Sequence, residues 1–516
     1  MKRRQFIQSG AIMSIPVLLG GIKVSAIASS PLFNCISQGS DRVLVLIQLN
    51  GGNDGLNMVI PIDQYSGLSQ VRSNILIPEA SVLKLTDYTG LHPAMSGLQN
   101  LYKEGSLGII QSVGYPNQNR SHFRSTDIWT SASDANVQLS TGWIGRYLNL
   151  NFPDYPENFP NPDYPDPLAI TLGNLVSSTC QGTATNYSYA LNTSLTIKSM
   201  EETEQAPQEN SCYYDELSFI KTTIDQSNHY AERLLESIDK GNNLVEYPSE
   251  NRLADQLKIV AKLISGGLQT QIYIVNLGGF DTHSQQVESD EHDKGEHATL
   301  LGLLSDAISS FSADLKALGI TERVAGMTFS EFGRQIRSNN SIGTDHGTAA
   351  PVIVFGDCIK ADIYGQNPEI SGDSEPQEGV PMLYDFRSVY ATFLIDWLGA
   401  APDQVNQVLF NDFQKLSFIK NCQTTSTNQQ HEAISQLSCY PNPCGSETTI
   451  SFNNQGKYVH LSVYDILGSQ LKVIVNKQIE TGQHDIRLDM SGYPSGTYFI
   501  RVAIDNLVNT VRLIKL

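Results

Sequence analysis

The sequence lacks three features that would place the protein in a specialised class. Beyond its N-terminal segment it has no apolar run near the roughly 18 residues of a transmembrane helix, so we expect no membrane span in the mature chain. It has no excess of cations, and the net charge of -19 argues against a nucleic-acid partner. It has no CxxC pair, which argues against a metal–thiolate site.

Seven cysteines are nonetheless present, and the odd number leaves at least one of them unpaired. Two disulfides are candidates on position alone. Cys439 and Cys444 would close a short loop, and Cys180 and Cys212 would bracket a polar segment.

The N-terminus is typical of an export signal over residues 1–28. A basic start, "MKRR", precedes an apolar stretch at about 11–22, and "AIA" at 26–28 offers a small-residue cleavage site. The "RRQF" at 3–6 favours the twin-arginine pathway over ordinary secretion.

Residues 41–416 alternate between strand-like and helix-like segments. The run "VLVLI" at 43–47 suits a strand buried on both faces, as in a parallel sheet, and amphipathic helical segments follow it. This alternation predicts an α/β domain with a mostly parallel sheet. A stretch rich in Pro, Asn and Asp predicts an insertion at about 149–210.

The pattern changes after Leu416. A polar linker is expected at 417–435. Residues 436–516 contain short alternating runs at regular spacing, with turn residues between them, and these predict a small all-β sandwich.

Polar residues that suit metal binding or catalysis follow several of the predicted strands. Ligands bind beyond the carboxyl ends of strands in an open parallel sheet, where carboxylates and imidazoles can hold divalent ions. The candidate metal ligands are Asp54, Asp281, His283, Glu331, Asp345 and His346. A hydroxyl close to such ions can act as a nucleophile, and Ser121, next to His122, is the candidate.

Each of these candidates also has an ordinary structural interpretation. Asp54 can make a turn, and Ser121 or Asp281 can cap a helix. Glu331 can pair with Arg334 or Arg337 in a salt bridge. The adjacent Asp and His in "GTDHG" at 343–347 are the strongest candidates for metal ligands.

The C-terminal segment contains "YPNP" at 440–443, "VYDILG" at 463–468, "SGYPSGTYFIRV" at 491–502 and the terminal "RLIKL". With these motifs it closely resembles the type A sorting domain of the type IX secretion system of Bacteroidetes. The resemblance implies recognition by the type IX machinery and export to the cell surface or the medium.

A second resemblance covers residues 41–415. It rests on the motifs "QLNGGNDGLNMVIP", "LHPAM", "NRSHFRSTDIW", "GGFDTH", "FSEFGR" and "GTDHG". With these motifs the segment resembles the bacterial domain-of-unknown-function family numbered fifteen hundred and one. That family is similar to sulfatases and the alkaline phosphatase superfamily. The resemblance implies a doubly wound fold and a metal-dependent hydrolase of phosphate or sulfate esters.

The resemblance also implies roles for particular residues. Asp54, Ser121, Asp345 and His346 correspond to the first metal site of the superfamily, with Ser121 as nucleophile. Asp281 and His283 correspond to the second metal site. Arg120 or Arg124 would bind the ester oxyanion, and His122 completes the catalytic segment. The implied cofactor is one or two divalent ions of Zn, Mg, Mn or Ca.

The sequence departs from the superfamily at one point that keeps a second hypothesis open. A further His usually follows the Asp-His pair, whereas here "GTAAPVIVFG" follows it, so that His292, His297 or Glu331 would have to substitute. The alternative is therefore a non-catalytic surface protein that binds an envelope component, such as a glycan, with a degenerate metal site.

Overall fold

A computed structural model describes residues 41–193, 212–420, 422, 437–465, 470–504 and 507–516. The predicted export signal and most of the predicted linker lie outside these residues. The chain forms two compact units, and the larger spans Asp41–Thr424. In the described part of the chain, no helix has the length and apolar character needed to cross a membrane.

The larger unit is built around a nine-stranded sheet. The chain also forms a small sheet of three short strands, β2 (Val59–Pro61), β3 (Leu83–Lys84) and β4 (Thr89–Leu91). The strands of the large sheet are β1 (Val43–Asn50), β5 (Leu107–Gly114), β6 (Ala169–Leu172), β7 (Ser188–Leu191), β8 (Ile272–Gly278), β9 (Val324–Ser330), β10 (Ala350–Phe355), β11 (Ile363–Tyr364) and β12 (Tyr384–Asp385).

The order of the large sheet is β11-β5-β10-β9-β1-β8-β6-β7, and β12 also pairs with β5. Only β10 runs antiparallel to its neighbours. The remaining pairs are parallel. The prediction of an α/β fold with a mostly parallel sheet is therefore confirmed.

Helices lie between these strands and after β12. Their bounds are α1 (Gly55–Met58), α2 (Tyr65–Val71), α3 (Ser96–Glu104), α4 (His122–Ser131), α5 (Trp143–Asn151), α6 (Cys212–Lys240), α7 (Arg252–Ser265), α8 (Glu296–Ala317), α9 (Phe386–Thr392) and α10 (Pro402–Leu409).

Strand β1 shows why the sheet has helices on both faces. Successive side chains of a strand point to opposite faces. Val45 and Ile47 belong to a core shared with α7 and α8, whereas Leu44 and Leu46 belong to a second core shared with α5 and α9. All four side chains are at most 1% exposed.

Two expectations from the sequence need correction. The predicted insertion at about 149–210 contains β6 and β7, which extend the edge of the large sheet. Four-residue strands among turn-forming residues leave little hydrophobic pattern to detect. Among the described residues the disulfide is Cys358–Cys422, while Cys180, Cys439 and Cys444 are buried and unbonded. Sequence spacing does not report how far apart two Cβ atoms lie.

The second unit contains Thr425–Leu516. Its strands are β13 (Ser438–Tyr440), β14 (Glu447–Gln455), β15 (Tyr458–Tyr464), β16 (Gln470–Gln478), β17 (Thr481–Asp489), β18 (Gly496–Ile504) and β19 (Leu507–Lys515). They form two antiparallel sheets, β13-β14-β17 and β16-β15-β18-β19. Both sheets contribute side chains to one core, such as Phe452 from the first and Ile500 from the second. The arrangement is that of a sandwich.

Candidate metal centre

Three histidines converge on one carboxylate at the edge of the large sheet. The Nε2 atom of His283 lies 3.1 Å from Asp281 Oδ1, and the Nε2 atoms of His122 and His346 each lie 3.4 Å from the same oxygen. The Nε2 atoms of His283 and His346 are 2.9 Å apart. We call these four residues the histidine cluster.

The other ring nitrogen of each histidine has an acceptor of its own. The Nδ1 atoms contact Glu331 Oε1 (His122, 2.9 Å), Asp345 Oδ1 (His283, 2.8 Å) and the Arg120 carbonyl oxygen (His346, 2.8 Å). Ionised carboxylates and carbonyls only accept hydrogen bonds, so in each neutral ring the proton is assigned to Nδ1. With that assignment each Nε2 can offer a lone pair to a metal ion, and the 2.9 Å contact between the Nε2 atoms of His283 and His346 requires a proton on one of them when no ion is bound.

The parallel sheet explains why these side chains meet. Asp281 and His283 follow the carboxyl end of β8, and Glu331 follows the carboxyl end of β9. His122 is the first residue of α4, which follows β5, and His346 lies in the loop that leads into β10. The carboxyl ends of parallel strands share one edge of a sheet, and binding sites form there.

A buried arginine holds the loops that carry the cluster. The Arg334 side chain is 0% exposed and donates to Asp281 Oδ1 at 2.7 Å. It also donates to four backbone carbonyls, those of Gly51, Gly52, Phe280 and Thr344. One planar guanidinium thus joins the turn after β1 to the loops that carry Asp281 and His346.

The two glycines after β1 are needed for this close approach. Gly51 has φ of +122°, and a Cβ there would lie 2.3 Å from the backbone nitrogen of Asp281. Gly52 has φ of +78°, and a Cβ there would lie 2.3 Å from the ring of Phe332. Only glycine combines a positive φ with the absence of a side chain.

The charges around the cluster favour ionised carboxylates and a neutral imidazole. Burial by itself would raise the pKa of Asp281, but the hydrogen bond and charge of Arg334 bring it below its usual value. The pKa of Asp345 is likewise lowered, against the effect of burial, by hydrogen bonds from His283 and Asn339. Burial lowers the pKa of His346, so its ring is neutral at pH 7.

The cluster is open to solvent on one side. The side chains of Asp281 and His283 are 50% and 43% exposed, and that of His122 is 32% exposed. From below, the buried Phe332 packs against the rings of His122 and His346, with centroid distances of 4.9 and 4.6 Å. A small molecule can therefore reach the cluster, whereas the ring orientations are restricted by packing.

The donor set fits a metal ion. Within the described residues, His122, Asp281 and His346 offer ligand atoms that all lie within 4.8 Å of one another. The His122 Nε2 atom is buried and has no hydrogen-bond partner, although a buried polar atom normally has one. A metal ion among the Nε2 atoms would supply that partner.

The structure brings together most of the residues predicted from the strand ends. Asp281, His283 and His346 lie in the cluster together with His122. Asp345 and Glu331 lie behind the histidine rings, where they accept from the Nδ1 atoms of His283 and His122. Glu331 bonds His122 and the Gly51 amide rather than Arg334 or Arg337, so the salt-bridge alternative does not describe it.

Asp54, predicted as a metal ligand, does not reach the cluster. Its carboxylate is fully buried and accepts from Arg72 at 2.9 Å and from Gln286 at 2.7 Å. After β1 the chain turns at Gly51 and Gly52, which directs Asp54 toward the interior. The substitute ligands His292 and His297 are also elsewhere, bonded to the Leu76 carbonyl and to Asn53.

The catalytic candidates Arg120 and Ser121 directly precede His122. Ser121 is the N-cap residue of α4, yet its side chain makes no capping hydrogen bond and is exposed. Arg120 contributes its carbonyl to His346. Arg124, the other oxyanion candidate, instead donates to carbonyls of the loop after α4, including those of Asp134 and Ala135.

Two residues that shape the site were not assigned to it from sequence. Arg334 entered only as a salt-bridge partner, and Asn339 was not singled out. Asn339 donates to Asp345 Oδ1 at 3.2 Å and to the His283 carbonyl at 2.8 Å. The "FSEFGR" motif contained the signal for Arg334, whereas a lone Asn in a loop carries none.

The chain belongs to the family described as protein of unknown function (DUF1501), whose sequence model matches residues 111–394, more than half of the chain. Residues 438–516 match the secretion system C-terminal sorting domain. The membership of this family and the C-terminal sorting domain, both expected from the sequence, are thereby confirmed. The sorting domain indicates export by the type IX route, to the cell surface or the medium. None of the curated proteins matches the chain.

Similar solved structures include a protein in the alkaline phosphatase superfamily from Vibrio parahaemolyticus, 11% identical over 86% of this chain and 83% of that chain, with a TM-score of 0.33. PsFucS1 sulfatase from Pseudoalteromonas sp. is 11% identical over 91% and 88%, with a TM-score of 0.32. The phosphonate monoester hydrolase of Silicibacter pomeroyi is 9% identical over 92% and 89%, with a TM-score of 0.30. At these TM-scores the likeness supports no assignment of activity, which has to come from the cluster itself.

Proposed function

We propose that the histidine cluster binds one divalent transition-metal ion and that this exported protein is a metal-dependent hydrolase of phosphate or sulfate esters. One observation carries the proposal: three imidazole Nε2 atoms converge on Asp281 Oδ1. His122, His283, His346 and Asp281 would be the ligands.

The spacing of the donor atoms supports a single ion. Tetrahedral zinc with ligands at about 2.0–2.1 Å has neighbouring ligand atoms about 3.3 Å apart. Four of the six separations among the donor atoms run from 2.9 to 3.4 Å, and the ligand atoms of His122 and His346 lie within 4.8 Å of each other. The sequence placed His346 in a first metal site and Asp281 and His283 in a second. Because these three residues lie together and Asp54 does not reach them, we propose one site instead of two.

The donor types narrow the choice of metal. Imidazole nitrogens suit zinc and other transition metals, whereas Mg²⁺ and Ca²⁺ prefer oxygen ligands. The Nδ1 acceptors also match the usual surroundings of a metal site, where a carboxylate or carbonyl orients each histidine. Zinc is therefore our first choice, ahead of the harder ions.

A divalent ion held here would act as a Lewis acid toward an ester oxygen. The surrounding residues support an anionic substrate. His122 begins α4, so the positive end of the helix dipole lies at the cluster. Ser121 directly precedes His122, and its hydroxyl makes no capping hydrogen bond. We assign Ser121 the role of nucleophile. The Arg120 guanidinium would bind an ester oxyanion.

The competing hypothesis is a surface protein that binds a glycan or another envelope component without turnover. One observation favours it: within the described part of the chain, the Ser121 hydroxyl has no hydrogen bond to a basic side chain that could activate it. Under this hypothesis the protein binds metal and ligand but releases no product.

Ester hydrolysis separates the two hypotheses. We expect purified protein to cleave members of a panel of aryl phosphates and sulfates, to lose this activity with a chelator and to regain it with Zn²⁺. Ser121→Ala should lower kcat by at least about 100-fold, since a nucleophile acts in the chemical step. Ser140→Ala, at an exposed serine beyond α4, is the control. Turnover unchanged in Ser121→Ala would remove Ser121 from the mechanism, and a metal-loaded protein without turnover would favour the binding hypothesis.

The acceptors of the Nδ1 protons give a separate prediction. Glu331→Gln and Asp345→Asn should each weaken Zn²⁺ binding by roughly 10–100-fold, the usual cost of losing an outer partner of a ligand. Asp290→Asn, at an exposed carboxylate, should leave the Kd unchanged. Competition with a chromogenic chelator measures all three. Wild-type affinity in both Glu331→Gln and Asp345→Asn would contradict the assigned ring orientations.

A further inference from the structure

We propose that Asp54 is a positioning residue for the metal centre, which it supports from the interior through a buried hydrogen-bond network. This inference rests on the metal site proposed above. The sequence predicted Asp54 as a metal ligand. We assign it instead the role of holding in place the two loops that carry Asp281, His283 and His346.

The first arm of the network runs through Arg72. Both carboxylate oxygens of Asp54 accept from Arg72 Nη1, at 3.1 and 2.9 Å. Arg72 then donates to the carbonyls of Gln335 at 2.7 Å and Ile336 at 2.9 Å. These carbonyls directly follow Arg334, the residue that holds Asp281. The ion pair is therefore tied to the segment that orients the cluster carboxylate.

The second arm runs through Gln286. Its amide nitrogen donates to Asp54 Oδ2 at 2.7 Å. Its amide oxygen accepts from the hydroxyls of Thr282 at 3.1 Å and Thr344 at 2.7 Å. Asp54 and all three of these residues are buried.

The two threonines are direct sequence neighbours of the proposed metal ligands. Thr282 lies between Asp281 and His283, and Thr344 immediately precedes Asp345 and His346. The Thr344 amide also donates to the Thr282 carbonyl at 3.1 Å. A shift of Gln286 would therefore move both ligand loops together.

The full burial of Asp54 is what gives it this influence. Its charge is compensated by Arg72, whose side chain is 0% exposed. A buried ion without its partner has no water to replace it, so the surrounding groups must rearrange. The groups that would rearrange are those that hold Arg334, Thr282 and Thr344, and metal affinity depends on ligand geometry.

The test compares Asp54→Asn with Asp314→Asn. Asp314 is an equally buried carboxylate in α8. It accepts hydrogen bonds from Tyr247, Asn243 and the Leu244 amide, none of which belongs to the cluster or to its network. We expect Asp54→Asn to weaken Zn²⁺ binding by roughly 10–100-fold, as for other outer-shell changes. The visible spectrum of the Co²⁺-loaded protein should change as well, because it reports ligand geometry. Asp314→Asn should lower metal-free stability but keep the affinity and the spectrum.

A second variant keeps the ion pair intact in case Asp54→Asn does not fold. Gln286→Met removes only the arm to the two threonines and should likewise weaken Zn²⁺ binding and alter the Co²⁺ spectrum. Wild-type affinity and spectrum in Gln286→Met and in any folded Asp54→Asn would overturn the inference, as would equal weakening by Asp314→Asn. If wild-type protein binds no metal, the proposed function fails first and this inference fails with it.

Discussion

His346→Ala is expected to abolish metal binding. The substitution removes one of the three Nε2 atoms around Asp281, and His346 also packs against the other rings of the cluster. Loss of an outer partner alone costs roughly 10–100-fold in affinity, so removing a ligand should cost more than about 100-fold. Metal analysis of protein purified without added zinc should fall from one equivalent to a small fraction, and ester hydrolysis should fall at least as far.

The matched control is His292→Ala. His292 is a partly buried imidazole in the same unit, and its Nδ1 atom contacts the Leu76 carbonyl outside the cluster. It should keep one equivalent of metal. Equal metal content in His346→Ala and wild type would rule out His346 as a ligand and with it the proposed single-ion site.

Arg334→Met is expected to have the largest effect on stability. The side chain is 0% exposed, and its removal takes a donor from Asp281 and from four backbone carbonyls, of which only that of Phe280 has a second donor within the described part of the chain, the Thr282 amide. An unpaired buried acceptor costs roughly 1–3 kcal/mol, and partial relaxation reduces the sum. We therefore expect the free energy of unfolding of the larger unit to fall by about 3–5 kcal/mol. Urea unfolding of metal-free protein measures it.

Arg146→Met distinguishes a general loss of stability from an effect on the site. Arg146 is also buried and donates to the carbonyls of Ser131, Thr141 and Val408, away from the cluster. It should destabilise the unit to a similar extent yet bind Zn²⁺ normally under folding conditions, whereas Arg334→Met should bind it weakly. A change below about 1 kcal/mol in Arg334→Met would mean that water replaces the lost hydrogen bonds.

The position of the histidine cluster was predictable because its residues follow strand ends or precede a strand at the same edge of the sheet. The run at 43–47, the Gly-Gly that follows it and the polar residues after "IYIVN" predicted a parallel sheet with a site at its carboxyl edge. Asp281, His283 and His346 were assigned on that basis, and they lie together. His122 was assigned as a catalytic residue, whereas its ring contributes a donor atom to the cluster.

The direction of each side chain was not predictable in the same way. Asp54 and Asp281 both follow buried strands, yet one lies in the interior against Arg72 and the other is 50% exposed in the cluster. The difference comes from the turn at Gly51 and Gly52 and from the partners that each carboxylate finds. Those partners, Arg72 and Arg334, lie 18 and 53 positions along the chain from the carboxylates they bind.

Amino-acid order alone therefore determined the fold class, the sorting domain and the edge of the sheet where polar residues gather, since periodicity and motifs are local properties of the chain. Folding decided which groups meet: three imidazoles on one carboxylate, Asp345 and Glu331 behind them, and Asp54 beneath. The physical reason is that hydrogen bonds and ion pairs form between atoms a few ångströms apart, and only packing brings residues hundreds of positions apart to that distance.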